Sequence, residues 1–378
     1  MTKRKGIRAD GIPNCPRVLI FAGCGIGDLI LGTPLFSSIH KAMPGSKITV
    51  ILRSDLPRDV LGNNSDIETA VHFPAVGGHN VSGVRRSIKN FFSQVIFIAG
   101  IRRRRFDISM HLLPGGLGRE AQIAFLCGAK IRVGPAFKSR WNLSGRCFTH
   151  TIIWDSCRHA VENNLDNLRA LGFTGFVTEL RLSVKDEHRR AADDFCAGNN
   201  LHGNETVIGM HTGGASNRRL YWPASRFAEV ARFIIESHKF RVAVFFGPGE
   251  TTAASAFQGL PIIPVIGLRF GVVCGIIEKC AFFISSDTGL GHVAAALRKP
   301  TFTVFGNANQ HKHHPWGNSS FWINKLPPSL FTGIETAYLA GEEGRKALES
   351  VTVMEVIERL DHVLKEIPTY VPRSHETR

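Results

Sequence analysis

No stretch of this 378-residue chain combines the length and freedom from charge that a lipid-facing span requires. Its most apolar window, residues 265–284, carries Arg269, Glu278 and Lys279, each too costly in hydrocarbon. The N-terminus, Met1-Thr2-Lys3-Arg4-Lys5, is basic but runs into no apolar segment, so a secretory signal is not expected. The eight cysteines, Cys15, Cys24, Cys127, Cys147, Cys157, Cys196, Cys274 and Cys280, include no C-x-x-C pair and none of the close spacings of a zinc module or a disulfide-dense domain. Reduced thiols and a cytoplasmic enzyme are the expectation. Acidic residues are scarce in one half only. Residues 1–190 hold 28 Lys and Arg against 14 Asp and Glu, whereas residues 191–378 hold 18 against 17. The first half therefore meets something anionic: an acidic substrate, a phospholipid surface or nucleic acid. Nucleic acid is disfavoured, because no recognition-helix, RRM or KH pattern accompanies the charge.

An intact dinucleotide fingerprint is also missing. The first apolar run, residues 17–22, leads into Gly23-Cys24-Gly25-Ile26-Gly27-Asp28. This is G-x-G-x-G-D rather than G-x-G-x-x-G, and the second strand, 48–52, is followed by Arg53 instead of an acid. An NAD-dependent oxidoreductase is thereby disfavoured. The loop does offer Asp28, at a strand end and at the start of the apolar pattern Leu31, Leu35, Ile39, Ala42. A lone acid there is either a helix cap or a functional carboxylate.

What the chain has in quantity is alternating strand and helix signals. After a basic tail, 1–16, strands are expected at 17–22, 48–52, 70–73 and 106–112, with helices around 84–101 and 121–126 and a small-residue turn at 128–134. His159 to Gly172 reads as a capped amphipathic helix, apolar at Val161, Leu165, Leu168 and Leu171. A helix at 186–197 ends in Gly198-Asn199-Asn200-Leu201-His202-Gly203, read as the boundary between domains spanning 17–200 and 201–345. The second domain repeats the alternation: strands at 206–210, 241–246, 262–266, 281–286 and 301–305, and a helix at 224–236 opened by Trp222-Pro223. Residues 346–378 contain an amphipathic helix, 351–364, expected to pack back at the domain junction.

Candidate ligand groups recur at strand ends. His211-Thr212-Gly213-Gly214 and Arg218-Arg219 suit a diphosphate, and Gly247-Pro248-Gly249-Glu250 presents a carboxylate able to accept from sugar hydroxyls. Gly267-Leu268 ends a further strand whose backbone and apolar side chains could line a ligand pocket. Ser285-Ser286-Asp287-Thr288-Gly289-Leu290-Gly291-His292 turns an apolar strand into an Ala-rich helix. The amides near Gly289 open that helix, whose N-terminus favours phosphate, with Asp287 and His292 beside it. Arg102, Arg103, Arg104 and Arg105 close a helical run and are either a solvated end or a contact for phosphorylated lipid. His311, His313 and His314 follow the last strand, but their spacing lacks a carboxylate or cysteine, and no metal site is assigned.

The Ser-Ser-Asp-Thr-Gly…His signature, with Lys299-Pro300 and the strand ending at Gly306, resembles the ADP-heptose glycosyltransferases of lipopolysaccharide synthesis. Gly25-Ile26-Gly27-Asp28-Leu29-Ile30-Leu31-Gly32-Thr33-Pro34-Leu35 resembles that family's N-terminal motif. The resemblance covers most of 17–310 and implies an α/β fold of GT-B architecture, two Rossmann-like domains facing each other across a cleft. It implies an acceptor site in the basic half and a nucleotide-sugar site in the second. The implied reaction is inverting, metal-independent transfer of heptose from ADP-heptose to Kdo or heptose of the inner core, with no cofactor and at the cytoplasmic face of the inner membrane. Asp28 would be the base, Glu250 would bind the donor ribose, and Thr212, Gly213, Arg218, Arg219, Asp287, Thr288, Gly289 and His292 would hold the rest of the donor. One departure stands out: the family's lysine three residues before the Trp-Pro-type proline is Leu220 here, leaving Arg218 or Arg219 for its role. Another nucleotide sugar, or a non-catalytic anion-binding protein of the same fold, are the alternatives.

Overall fold

A computed structural model describes residues 11–23, 25–52, 64–74, 84–112, 119–136, 146–155, 157–201, 205–213, 221–247, 249–317, 319–326 and 342–367. The chain divides into two compact units, Met1–Arg181 and Leu182–Arg378. This division precedes the glycine-flanked turn at 198–203 that the sequence suggested. The helix Asp186–Gly198 belongs to the second unit because it packs on the helix Phe270–Lys279. There Arg189 bridges Glu278 at 2.8 Å and Lys279 pairs with Asp193.

The first unit is built on β1 (Arg17–Ala22), β2 (Lys47–Leu52), β3 (Thr69–His72), β4 (Ile108–His111), β5 (Ile131–Pro135) and β6 (His150–Ile152). Their order is β3-β2-β1-β4-β5-β6, and every pairing is parallel. Val18, Leu19, Ile20, Ile48 and Val50 are buried on both sheet faces, which is why these strands read as continuous rather than alternating apolar runs. Residues 128–134, expected as a turn, instead carry most of β5. Gly128, at φ +77°, makes the turn, and Gly134 stays in the strand because a Cβ there would lie 2.4 Å from the Phe148 ring. The single helix expected after the first strand is two, Ile26–Leu31 and Thr33–Ala42, divided at Gly32 with Pro34 opening the second.

The second unit repeats the plan with β7 (Val207–His211), β8 (Arg241–Phe246), β9 (Ile263–Ile266), β10 (Phe282–Ser286), β11 (Thr301–Val304) and β12 (Ser320–Ile323). The order β12-β11-β10-β7-β8-β9 is again all parallel and matches the first sheet strand for strand when read from its other end. Both sheets thus have the doubly wound Rossmann order, with the direction of winding reversing between β1 and β4 in one and between β7 and β10 in the other. Ligands of such sheets bind beyond the carboxyl ends of the strands at that reversal.

The helix Val353–Glu366 packs on the second unit. It opens with a capping box between Thr352 and Glu355 and buries Val356, Leu360 and Leu364 in the second unit's own core beside Phe227, Val230 and Ile234. Trp222 Nε1 and Arg226 Nη1 donate to the Val351 carbonyl at 3.0 and 2.7 Å, fixing the helix's entry. Its apolar face is consumed by the helix Ala224–His238.

Candidate active site

In the second unit, the reversal of winding brings two loops together. His211 of β7 pairs in register with Ser285 of β10, so Thr212 and Ser286-Asp287-Thr288 leave neighbouring strands side by side. The Ser286 hydroxyl donates to the Thr212 carbonyl at 2.7 Å. Gly213 follows with φ +147°, a conformation that favours glycine, and the Tyr221 ring packs so closely that a Cβ there would lie 2.4 Å from it.

Thr288 is the N-cap of the helix Gly289–Ala296, in extended backbone, but its side chain makes no capping bond. Its Oγ1 is buried and has no hydrogen-bond partner among the described residues. The outward-pointing amides of a helix's first turn, a threonine hydroxyl not used for capping and the helix dipole together favour an anion at this point. Asp287, Thr288 and His292 are all buried. Gly291 lets the helix approach β10, since a Cβ there would meet Ser285 Oγ at 2.7 Å.

Glu250 lies beyond the neighbouring strand β8. It is not an exposed turn acid: its side chain is 9% accessible, and Oε2 accepts from the Gly247 amide at 2.7 Å. The same oxygen is 3.9 Å from Nδ1 of His211, which bonds the Phe245 carbonyl at 2.9 Å. Burial drives the His211 pKa down while the Glu250 carboxylate pulls it up. Thr212, Gly213, Glu250, Asp287, Thr288, Gly289 and His292 therefore line one edge across β10, β7 and β8. Farther along, Ile266 at the end of β9 is exposed, and Gly267 turns the chain at φ +70°. Arg218, Arg219 and Leu220 lie outside the described residues.

The histidine run after β11 disperses. His311 is exposed, His313 is buried, and His314 stacks on Trp322 with ring centroids 4.5 Å apart. Lys312, which the sequence did not single out, is only 1% accessible, on the short helix Gln310–His313. Pro315, just past it, lies 3.7 Å from where a Cβ on Gly291 would stand. An ammonium is thus buried in a segment packed on the anion-favouring helix. Burial in a strand-end loop was the signal, and no local pattern carries it.

In the first unit, the N-cap of the helix Ile26–Leu31 is Gly25, not Asp28. Asp28 stands in the first turn, half-buried, with Oδ2 3.9 Å from where a side chain at Gly25 would begin. Leu29, Ile30 and Leu31 beside it are buried. The carboxylate is therefore held at a helix start at the carboxyl end of β1. Leu112, just past β4, packs on Gly32 at the end of this helix, where a Cβ would lie 2.5 Å from its Cδ1.

His111, at the end of β4, also escaped sequence reasoning. It stacks on Phe21 with centroids 4.6 Å apart and meets the edge of Phe148 at 5.3 Å. Neither ring nitrogen has a partner among the described residues, and burial lowers its pKa to about 3. Arg102 to Arg105 are exposed, Arg102 Nη1 bonding the Leu126 carbonyl at 3.0 Å.

Comparison with known proteins agrees with the two-sheet fold. The model of glycosyltransferase family 9 (heptosyltransferase) matches residues 96–327, more than half of the chain. Lipopolysaccharide heptosyltransferase 3 of Escherichia coli K12 is 25% identical over 321 residues, covering 80% of this chain and 87% of that protein. Among solved structures, the family 9 glycosyl transferase of Veillonella parvula superposes with a TM-score of 0.73 at 22% identity, covering 94% of this chain and all of that one. The E. coli ADP-heptose lps heptosyltransferase II gives 0.70 at 17% identity, covering 93% and 99%.

Proposed function

From the premise that the chain belongs to glycosyltransferase family 9, the heptosyltransferases, we propose that it moves a heptose from ADP-heptose to a Kdo or heptose hydroxyl of the lipopolysaccharide inner core. The observation that carries the donor half is the uncapped helix start at Thr288 beside the Thr212 loop. It offers a diphosphate several donors and no competing side-chain cap. Glu250 takes the ribose hydroxyls, Ile266 and Leu268 flank the adenine, and Asp287 and His292 orient sugar and phosphate. Arg218 or Arg219 supplies the cation that the family's lysine supplies elsewhere.

The acceptor belongs to the basic first unit. Asp28 accepts the proton of the attacking hydroxyl as its oxygen bonds the anomeric carbon, and the bond from that carbon to the diphosphate oxygen breaks. The leaving ADP is stabilised by the amides near Gly289 and by Thr212. Because attack is opposite to departure, the anomeric configuration inverts. The excess of cations in this unit draws an anionic acceptor, and Arg102 to Arg105 hold the protein at the cytoplasmic face of the inner membrane.

Purified protein given ADP-heptose and a truncated core should add one heptose mass to the acceptor and release ADP. The core of cells lacking the chain should lack that same sugar. Transfer from another nucleotide sugar but not from ADP-heptose would overturn the donor assignment. Binding without transfer from any of them would make the chain a binder.

A further inference from the structure

Within the helix Val84–Arg103, the stretch Phe92–Arg103 presents two apolar faces. At about 100° per residue, Phe97, Ile98 and Ile101 fall on one side. They join the core around Leu19, Phe21 and Ile51, with Phe97 edge-on to Phe73 at 5.2 Å. The opposite arc, also about 100° wide by the same geometry, holds Phe92, Val95, Ile96, Ala99 and Arg103. There Phe92 is 59%, Val95 45% and Ile96 71% exposed. A helix on the surface of a globular unit ordinarily turns polar residues outward, and this one does not.

Cations border the strip. Arg103 ends it on the same arc, followed by exposed Arg104 and Arg105. Arg102 bonds the end of the neighbouring helix Arg119–Leu126 through the Leu126 carbonyl at 3.0 Å. On that helix Phe125 and Leu126 are exposed by 53% and 45%, and the Arg132 guanidinium lies over the Phe125 ring at 5.4 Å. Exposed apolar side chains interleaved with guanidinium groups match an anionic bilayer surface, where rings and aliphatic groups enter the acyl boundary and arginines meet phosphates.

We infer that Phe92, Val95 and Ile96 form a wedge that inserts into an anionic phospholipid bilayer, with Arg102 to Arg105 seated on its headgroups. This rests on, and deepens, the proposal that the arginines hold the protein at the membrane. Charge alone would give adsorption that salt reverses, whereas insertion leaves a component that salt does not remove.

The test uses the full chain with phosphatidylethanolamine vesicles containing phosphatidylglycerol, floated at low and high salt. The wild-type protein should keep a bound fraction at high salt. A Phe92→Ser, Ile96→Ser double variant should lose it, with partitioning reduced about tenfold or more, as expected for two large apolar groups kept in water. Both side chains are more than half exposed, and a cooperative thermal melt of the variant shows that it stays folded. Independently, Ile96→Trp should add indole fluorescence that is quenched by lipids brominated on the acyl chain. Binding that salt abolishes entirely, with the introduced indole unquenched, would overturn the wedge and leave the electrostatic reading standing. Absence of vesicle binding at any salt would overturn both. Self-association that the double variant abolishes, without insertion, would reassign the strip to a second copy of the chain.

Discussion

The Ser286 hydroxyl and the Thr212 carbonyl, 2.7 Å apart, join the two loops that leave the sheet where its winding reverses. Removing the hydroxyl leaves a buried carbonyl without its donor, a loss of about 1–3 kcal/mol. Ser286→Ala should therefore lower the melting temperature and diminish the further stabilisation given by ADP. Calorimetry with and without ADP checks both.

Asp287→Ala and Glu250→Ala address the same edge from its carboxylates. A ligand that binds only the native state raises stability by mass action, so each variant should show a smaller ADP-induced shift than wild type. Wild-type shifts in both would move the donor pocket elsewhere.

Gly32 gives a purely steric test, since its φ of −85° suits any residue. A Cβ there would stand 2.5 Å from Leu112 Cδ1, so Gly32→Ala should cost about 1–3 kcal/mol by overpacking. Leu112→Ala in the same chain should recover part of that loss. A double-mutant cycle in urea would show coupling, and strict additivity would mean that the contact carries no energy.

The sequence disclosed what its local patterns encode. β1, β2, β7, β8 and β10 are continuous apolar runs, legible because a parallel sheet buries both faces. β6 has three residues, too short for any period to register, and β12 lies at the sheet's edge with Phe321 exposed, so it is no continuous apolar run. The helix Phe270–Lys279 was hidden because it is apolar nearly all round. Asp28, Thr212, Asp287 and Thr288 could be named because each stands in a motif at a strand end. His111 and Lys312 could not, because their burial is created by distant segments. Phe21 and Phe148 enclose His111, and no spacing within the chain announces that. The capped helix Val353–Glu366 was recognisable as amphipathic, but what its face covers was decided by Phe227, Trp222 and Val351.

That same histidine predicts an acid sensitivity. His111 has its folded pKa lowered from 6.5 to about 3, so below pH 6.5 the unfolded chain binds a proton that the folded chain does not. Its contribution is fully present above the unfolded pKa and is lost as pH falls toward about 3, by about 1.4 kcal/mol per pH unit in the middle of that window. His111→Phe should flatten this slope. Urea midpoints between pH 7 and 5, compared for the two proteins, measure it.

Leu360 is fully buried in the second unit's core. Leu360→Ala should cost about 2–5 kcal/mol and destabilise that unit. Limited proteolysis should then cut within 182–378 first, and earlier cleavage in the first unit would contradict the packing described.

The account turns on Asp28 as the base that makes the acceptor hydroxyl a nucleophile. Asp28→Asn keeps the shape and hydrogen bonding of the side chain but cannot take a proton. Turnover of ADP-heptose on a truncated core, measured beside ADP affinity, should show kcat lower by about 10²- to 10⁴-fold with donor affinity nearly unchanged. Transfer by Asp28→Asn at close to the wild-type rate would contradict it.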